Sequence, residues 1–526
     1  MPDHTTPPAV QRLGFAACCL FIGLAACTIP YPGIQNDEVL FTAPLYPHAV
    51  NNIQPPAVPR LMLIGYIGTL KTLLYWPILW IFGPGVWTLR LPVVLLGSIT
   101  IFIFLHLAAS SLGRAAAVVA AFLLATDPVF LLTNTFDWGP VAFEHFLLVT
   151  GCWCLFRFGS QTPSNTRFRN LCFGFFCFGL ALWNKAVFAW ALVGLTTAGL
   201  LIFWPEIRPR LTRRNLGAAA SAFLLGSSPL LAYNLRHFNA TLTGNVQLDA
   251  ASLPGKWIQV ERALNGSSLF GVMVSEESAP NPKPATSLRG RTAVWIREHL
   301  GEHRQTGFYY VLGLLLLAAP WWWRSRPARF SLVFMIVAWI AMASTHDAGT
   351  SAHHVILLWP FPVLFAAAAL TSLPWRWVTI VASIGMVGMN LLVVNQYIAQ
   401  FERNGATGGF TDAIFPLSAS LPDKTGEPVY MLDWGIKETV NYLHRGRLNI
   451  LIDDVSTDPE PQTIHAMLTD PRSLFVGHVP GQQFFPRWSQ DLDADAQASG
   501  YRKEVLRLVP DSNGRPIFEV FRYVPQ

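Results

Sequence analysis

The chain has 526 residues, of which 52% are hydrophobic and only 13% charged, where a soluble globular chain carries about 25% charged residues. A formal charge of +6 is modest, and the basic residues cluster beside apolar runs rather than on a nucleic-acid-binding stripe, so no nucleic-acid partner is expected. All seven cysteines (Cys18, Cys19, Cys27, Cys152, Cys154, Cys172, Cys177) lie inside apolar runs, which argues against a disulfide framework.

The apolar runs have the length that crosses a hydrocarbon core of about 30 Å. In chain order they fall near 13–30, 88–110, 115–132, 140–157, 171–184, 186–204, 216–233, 307–323, 330–345, 353–372 and 377–397. The first ends in Ala25-Ala26-Cys27, which superficially resembles a processing site, but an alanine- and cysteine-rich first span reads the same way. The stretch 171–204 would be about 50 Å long as one helix, too long for one crossing. Arg157, Arg167 and Arg169 precede it, and Arg208, Arg210, Arg213 and Arg214 follow it. Both flanks therefore belong on the cytoplasmic side, and the chain turns back at Asn184-Lys185. Arg12, Arg114, Arg324, Arg326, Arg329 and Arg376 then fall inside as well. About 11 spans place the N-terminus inside and the C-terminus outside.

Four pieces become extracytoplasmic: 31–87, 133–139, 234–306 and everything after about 398. Within the first, Arg60 to Phe82 is rich in Trp and Tyr but interrupted by Lys71 and Pro77, the pattern of helices lying in the membrane interface. The tail alternates short β-rich runs (429–432, 449–452, 473–476, 503–509, 517–523) with helix-compatible segments. It predicts a small C-terminal extracytoplasmic α/β domain, 401–526, appended to a membrane domain, 1–400.

Acidic and basic residues on the outer face are the candidates for chemistry. Asp37 and Glu38 follow the first span directly, as either a solvated loop feature or a site. Asp137 and Glu144 sit at the mouth and first turns of the fourth span, seven residues apart, so both can face one side of a helix. A carboxylate within a span is costly and defaults to function; the structural alternative pairs Glu144 with His145 or a hydroxyl. Lys185 lies at a turn where the positive-inside rule disfavours lysine. Arg90, Arg236, His353 and His354 stand at other outer mouths. Each alone reads equally as an interfacial anchor that snorkels. Together they form a ring of cations beside two acidic loci.

The run from Gly85 to Arg157, with L-G-R-A-A-A-V-V-A-A-F-L-L-A-T-D-P and F-D-W-G-P inside it, resembles the membrane core of the GT-C glycosyltransferases. It is most similar to the family 39 protein mannosyltransferase-like and aminoarabinose-transferase-like bacterial proteins. Asp37-Glu38 matches that family's first-loop acidic motif, L-A-L-W-N-K ending in Lys185 its lysine between the fifth and sixth spans, and the segment from His353 the opening of a late span. The resemblance covers roughly residues 12–400. Where many relatives carry H-P-P-x-Y-Y, this chain reads Q-P-P-A-V-P-R at 54–60, which leaves that loop's role open.

The resemblance implies an inner-membrane enzyme that moves a sugar, with inversion, from a polyprenyl-phosphate donor to a protein, lipid or glycan acceptor outside the membrane. On that expectation Asp37 is the base, Glu38 or Asp137 orients a substrate, and Lys185, Arg236 and His353 hold the phosphate. No cofactor is required, though Asp37 and Asp137 could hold a divalent cation. The competing classes are a transporter or lipid-linked-sugar flippase, which would show internal repeats, and an O-antigen ligase or polymerase. In the tail, Asp433-Trp434-Gly435 and Asp453-Asp454 sit at strand ends, where α/β domains bind ligands or simply turn.

Overall fold

The computed structural model describes residues 7–46, 60–159, 164–243, 252–280, 284–346, 348–421, 427–452 and 467–526. Asp453 and Asp454, and most of the 54–60 segment, lie outside the described residues.

All eleven expected runs fall on helix. The chain opens with α1 (Pro8–Thr28) and a single turn α2 (Asn36–Val39), then α3 (Leu70–Phe82), α4 (Val86–Leu112), α5 (Arg114–Thr126) and α6 (Pro128–Thr133). The bundle continues through α7 (Val141–Gly159), α8 (Ser164–Asn184), α9 (Phe188–Ile207) and α10 (Arg213–Arg236). After α11 (Ala240–Thr243) come α12 (Leu253–Leu264), α13 (Leu288–Leu300), α14 (Phe308–Leu317) and α15 (Ala319–Trp322). It closes with α16 (Arg326–Ala343), α17 (Ala352–Val355), α18 (Phe361–Thr371) and α19 (Arg376–Asn404). Among the described residues seven helices are long and apolar enough to cross a membrane on their own, and up to nine if two bent pairs count as spans.

The bends have identifiable causes. The α5–α6 pair turns by 58° where Asp127 ends one helix and caps the next, its carboxylate accepting from Phe130 N at 2.8 Å. Pro128, which has no N–H to lose, starts α6. The 352–371 run bends by 42° around Trp359-Pro360, and Trp359 Nε1 donates to Asp127 at 2.9 Å. The two breaks are thus joined to each other. The 34-residue apolar stretch 171–204 divides into α8 and α9, turning at Lys185 as expected from the flanking charges.

Helix α3 is a short apolar helix with one buried and one exposed face. Lys71, Thr72, Tyr75 and Leu79 are buried, while Trp76, Trp80, Ile81 and Phe82 face outward. Before it runs a short hairpin, β1 (Met62–Ile64) with β2 (Ile67–Gly68).

Helix α19 runs on to Asn404, past the expected boundary at 400. Beyond it α20 (Ile414–Ser420), β3 (Val429–Met431), α21 (Lys437–Leu443), β4 (Ile450–Ile452), β5 (Leu474–His478), β6 (Tyr501–Pro510) and β7 (Pro516–Pro525) form the α/β domain. The sheet order is β4-β3-β5-β7-β6, with β3 parallel to β4 and β5, and β7 antiparallel to β5 and β6. Strand alternation gives the sheet two apolar faces. Val429, Met431 and Val476 pack with α20 and α21; Tyr430, Phe475 and Phe521 pack with Trp488 and Leu492 of the helix Pro486–Ala498.

That domain sits against residues 34–46 and Gly85. Glu438 N donates to Asn36 Oδ1 at 3.1 Å, Thr439 Oγ1 to Ile34 O at 3.3 Å, and Asn441 Nδ2 to Tyr46 O at 2.6 Å. The Tyr442 hydroxyl both accepts from Gly85 N and donates to Gly85 O. Tyr442 also joins an apolar cluster with Val39, Tyr75, Leu89 and Phe143, so residues from both domains share one core.

Candidate functional site

At the loop-rich end of the bundle lies a cavity of about 350 Å³, within the size range of small-ligand sites. Its polar wall is Asn36, Asp37, Lys71, Lys185 and His353; its apolar wall includes Leu40, Phe41, Leu63, Ile64 and Ile67. A larger hollow of about 570 Å³ lies at the opposite end, among Arg114, Arg324 and Ser372. There the hydroxyls of Ser111, Thr371 and Ser372 donate to their own helix carbonyls, and no buried charge faces it.

The acidic motif is a helical turn, not the extended loop that the sequence suggests. Gln35 caps it, its side-chain oxygen accepting from Asp37 N at 2.6 Å and Glu38 N at 3.1 Å. Successive residues on a helix diverge by about 100°, which sends the two carboxylates to different places. Asp37 lines the cavity. Glu38 points into the protein and receives Arg90 Nε at 2.7 Å and Nη2 at 2.9 Å. Arg90 is fully buried, and its remaining N–H groups reach the carbonyls of Ile29, Pro32 and Gly33. Arg90 and Glu38 therefore leave the predicted ring and form a clamp that fixes the turn carrying Asp37.

Asp137 and Glu144 do not share a helix face, because Gly139-Pro140 ends the helical path before α7 starts at Val141. Asp137 instead caps α7, accepting from Ala142 N at 2.8 Å. Its other oxygen pairs with Lys71 Nζ at 2.8 Å, both side chains being almost wholly buried. Neither His145 nor a hydroxyl pairs with Glu144: His145 is taken up by Asn134 and the Ile356 carbonyl, and both Glu144 carboxylate oxygens are buried without a hydrogen-bond partner among the described residues.

The turn 137–140 is stapled to the turn at Lys185. Asn184 Nδ2 donates to Pro140 O at 3.0 Å, and Lys185 Nζ to Gly139 O at 3.1 Å. Gly139 has φ of +99°, and a Cβ there would lie 3.1 Å from Lys185 Nζ and 3.3 Å from His353 Cδ2. Glycine is what lets the lysine, the histidine and this turn meet. Ala186 N donates to Tyr66 O at 2.8 Å, which ties the hairpin to the same turn. Trp138 Nε1 donates to His353 Nδ1 at 3.1 Å, and Ser351 Oγ lies 3.0 Å from Nδ1 and 3.5 Å from Nε2, so the ring is held from two sides.

The electrostatics follow from burial. Asp37 is pushed above the ordinary carboxyl range by loss of water, against hydrogen bonds from Asn36 and Gln35 and the charge of Lys185. Lys185 is pulled down by burial, against Glu144, Asp137 and Asp37. Tyr66, also lining the cavity, is raised by burial and then by the Asp37 charge. The ammonium of Lys185 has three donors and spends one on Gly139, so the polar wall holds donor capacity next to a carboxylate.

Of the other expected cations, Arg236 is exposed at the end of α10 and lines no part of the cavity, in keeping with an interfacial anchor beside the exposed Leu235 and Phe238. His354 is adjacent to His353 but turns away from the cavity, with Nδ1 unpartnered. Lys71, Tyr66, Asn36 and Trp434 also line the cavity; the first three were not singled out from the sequence as ligands, and Trp434 entered only within the strand-end motif Asp433-Trp434-Gly435. A lysine interrupting an interfacial aromatic run was the available signal for Lys71. Among the described residues no three or more His, Cys, Asp or Glu side chains gather as a metal site, and Asp137 is already engaged by Lys71.

Residues 70–233, from α3 into α10, match the model of the dolichyl-phosphate-mannose-protein mannosyltransferase family. No curated protein matches the chain by sequence. The structure is similar to that of ArnT from Cupriavidus metallidurans bound to undecaprenyl phosphate, with a TM-score of 0.60 at 12% identity over 98% of each chain. The apo state of that protein gives 0.57 at 13% identity over 97% of each. The oligosaccharyltransferase of Archaeoglobus fulgidus in complex with zinc and sulfate gives 0.50 at 14% identity, covering 84% of this chain and 62% of that one. At such identities the likeness is one of fold. The apolar helices and that likeness describe a multi-pass membrane protein with a GT-C-like fold, and the family match adds the segment from α3 into α10.

Proposed function

We propose that the cavity transfers a sugar, with inversion, from a polyprenyl-phosphate donor to a hydroxyl acceptor on the extracytoplasmic side of the inner membrane. One observation carries this reading: a half-buried carboxylate, Asp37, and two buried ammonium groups, Lys71 and Lys185, line one small cavity together with the apolar side chains of Leu40, Phe41, Leu63, Ile64 and Ile67. A phosphate with a prenyl tail needs that combination. The binding of undecaprenyl phosphate by a protein of the same fold supports it.

In the proposed reaction the acceptor oxygen attacks the anomeric carbon as the bond from that carbon to the phosphate oxygen breaks. The electron pair leaves with the polyprenyl phosphate, and the acceptor's proton passes to Asp37. The lipid phosphate is a good leaving group at neutral pH, so the step calls for cations rather than a general acid. Lys185, with two donors to spare, and His353 are placed for the phosphate. Lys71 adds positive charge while orienting Asp137. Attack from the face opposite the leaving group inverts the anomeric centre. Glu38 has no part in the chemistry beyond holding the Asp37 turn.

Asp37→Asn keeps the shape of the side chain but cannot take a proton. Transfer should fall about 10²–10⁴-fold, the usual worth of a positioned general base, while binding of undecaprenyl phosphate stays the same or tightens. Near-wild-type turnover in that variant would remove Asp37 as the base and point to an acceptor that is already ionised.

A further inference from the structure

One residue of the cavity comes from the other domain. Trp434 follows β3, some 400 residues along the chain from Asp37, yet both line the same space. It belongs to neither apolar face of its own sheet, so the fold of the α/β domain does not account for it.

The turn that presents Trp434 is unusually well fixed. The buried Asp433 carboxylate accepts backbone N–H from Trp434 at 2.9 Å, Phe484 at 2.9 Å and Phe485 at 3.0 Å. It also pairs with His478 Nδ1 at 2.7 Å. Gly435, at φ +94°, turns the chain immediately after the indole. Phe484 packs edge-on against the indole with ring centres 5.0 Å apart, and Gly409 is small enough that even an added Cβ would only touch the indole at 3.8 Å. Packing and hydrogen bonds therefore lock a large flat apolar surface at a cavity whose remaining charged and amide groups could take hydroxyls.

A sugar ring presents one face of C–H groups and an edge of hydroxyls. We propose that Trp434 is the sugar platform of the site: its indole takes the C–H face of the donor's sugar ring, and the α/β domain thereby reads the sugar while the membrane domain reads the lipid phosphate. This rests on the glycosyltransfer reading above and assigns a part of it to a different domain.

The test compares two ligands on the full-length protein, undecaprenyl phosphate and undecaprenyl phosphate carrying a hexose, drawn from a panel of such hexoses, with binding read by native mass spectrometry. Wild type should prefer at least one sugar-bearing lipid over the bare one. Trp434→Ala should bind bare undecaprenyl phosphate like wild type and lose about 3- to 10-fold on the sugar-bearing lipid, the worth of one aromatic contact. Trp434→Phe, which keeps a ring, should recover part of the loss. A preference that survives in Trp434→Ala overturns the proposal, as does equal loss on both lipids, which would make Trp434 a structural residue. A wild type that binds neither lipid overturns the glycosyltransfer reading itself, and this proposal with it.

Discussion

Two buried ion pairs stand side by side in this molecule and are built to opposite ends. Around Arg90 every donor is used: five N–H···O contacts reach Glu38 and three backbone carbonyls, and the pair is closed from any cavity. Around Lys71 and Lys185 the count does not close. Asp137 and Gly139 take part of the donor capacity, Glu144 keeps two unpartnered oxygens, and a cavity opens in front. A saturated pair holds a shape, whereas an unsaturated one holds a place for something else. Sequence spacing cannot tell them apart, since both are an acid and a base brought together from distant segments.

The comparison predicts different failures. Arg90→Met strands the Glu38 charge in a dry interior and should cost about 3–5 kcal/mol of stability. Thermal unfolding of the purified protein reads it, and adding Glu38→Gln should return part of the loss. Stability within about 0.5 kcal/mol of wild type would dissolve the clamp. Lys185→Met should do the reverse: it removes a charge that burial already disfavours, so the unfolding midpoint should hold while affinity for undecaprenyl phosphate drops about 10- to 100-fold, the loss of a charge-assisted contact. Unchanged affinity would make Lys185 an interfacial anchor after all.

The smallest effect is a displacement along the pH axis. Burial raises the Asp37 carboxyl, and a base works only when deprotonated, so activity should be lost as pH falls through that raised value. The acid limb of kcat/KM should thus lie above the ordinary Asp value of about 3.9, and Asp37→Asn should abolish it. A limb at or below about 3.9 would mean that Asp37 is not the titrating base. Orientation has its own check: a reporter active only outside the cytoplasm, joined after Gln526, should be active.

Much of this was legible beforehand. The eleven apolar runs, the turn at Lys185 and the strands of the tail each follow from hydrophobic period and charge placement, which are local. Lys185 could be singled out because it breaks the positive-inside rule at its turn, whereas Asp37 was named through the resemblance of Asp37-Glu38 to a first-loop acidic motif. What failed was whatever depends on three dimensions. Asp137 and Glu144 looked like one helix face because spacing does not show that Gly139-Pro140 breaks the path. Arg236 looked equivalent to Lys185 because the side of the membrane can be read from charge, but the distance from a cavity cannot. Trp434 lies in a strand-end motif that reads equally as a ligand site or a plain turn, and the sequence does not show that the motif meets the cavity of the other domain.

The contacts of Glu438, Thr439, Asn441 and Tyr442 with Ile34, Asn36, Tyr46 and Gly85 also set an order in time. Residues 438–442 are made about 400 residues after 34–46, so the Asp37 turn waits for the whole membrane domain before its partners exist. A nascent or prematurely terminated chain would carry the spans and the acid but not the finished cavity, and so would be inert towards the lipid pool around it. Limited proteolysis of a chain ending at Asn404 should find the 31–46 segment open to cleavage where the full-length protein resists. The first acid and the last domain would then become protected together.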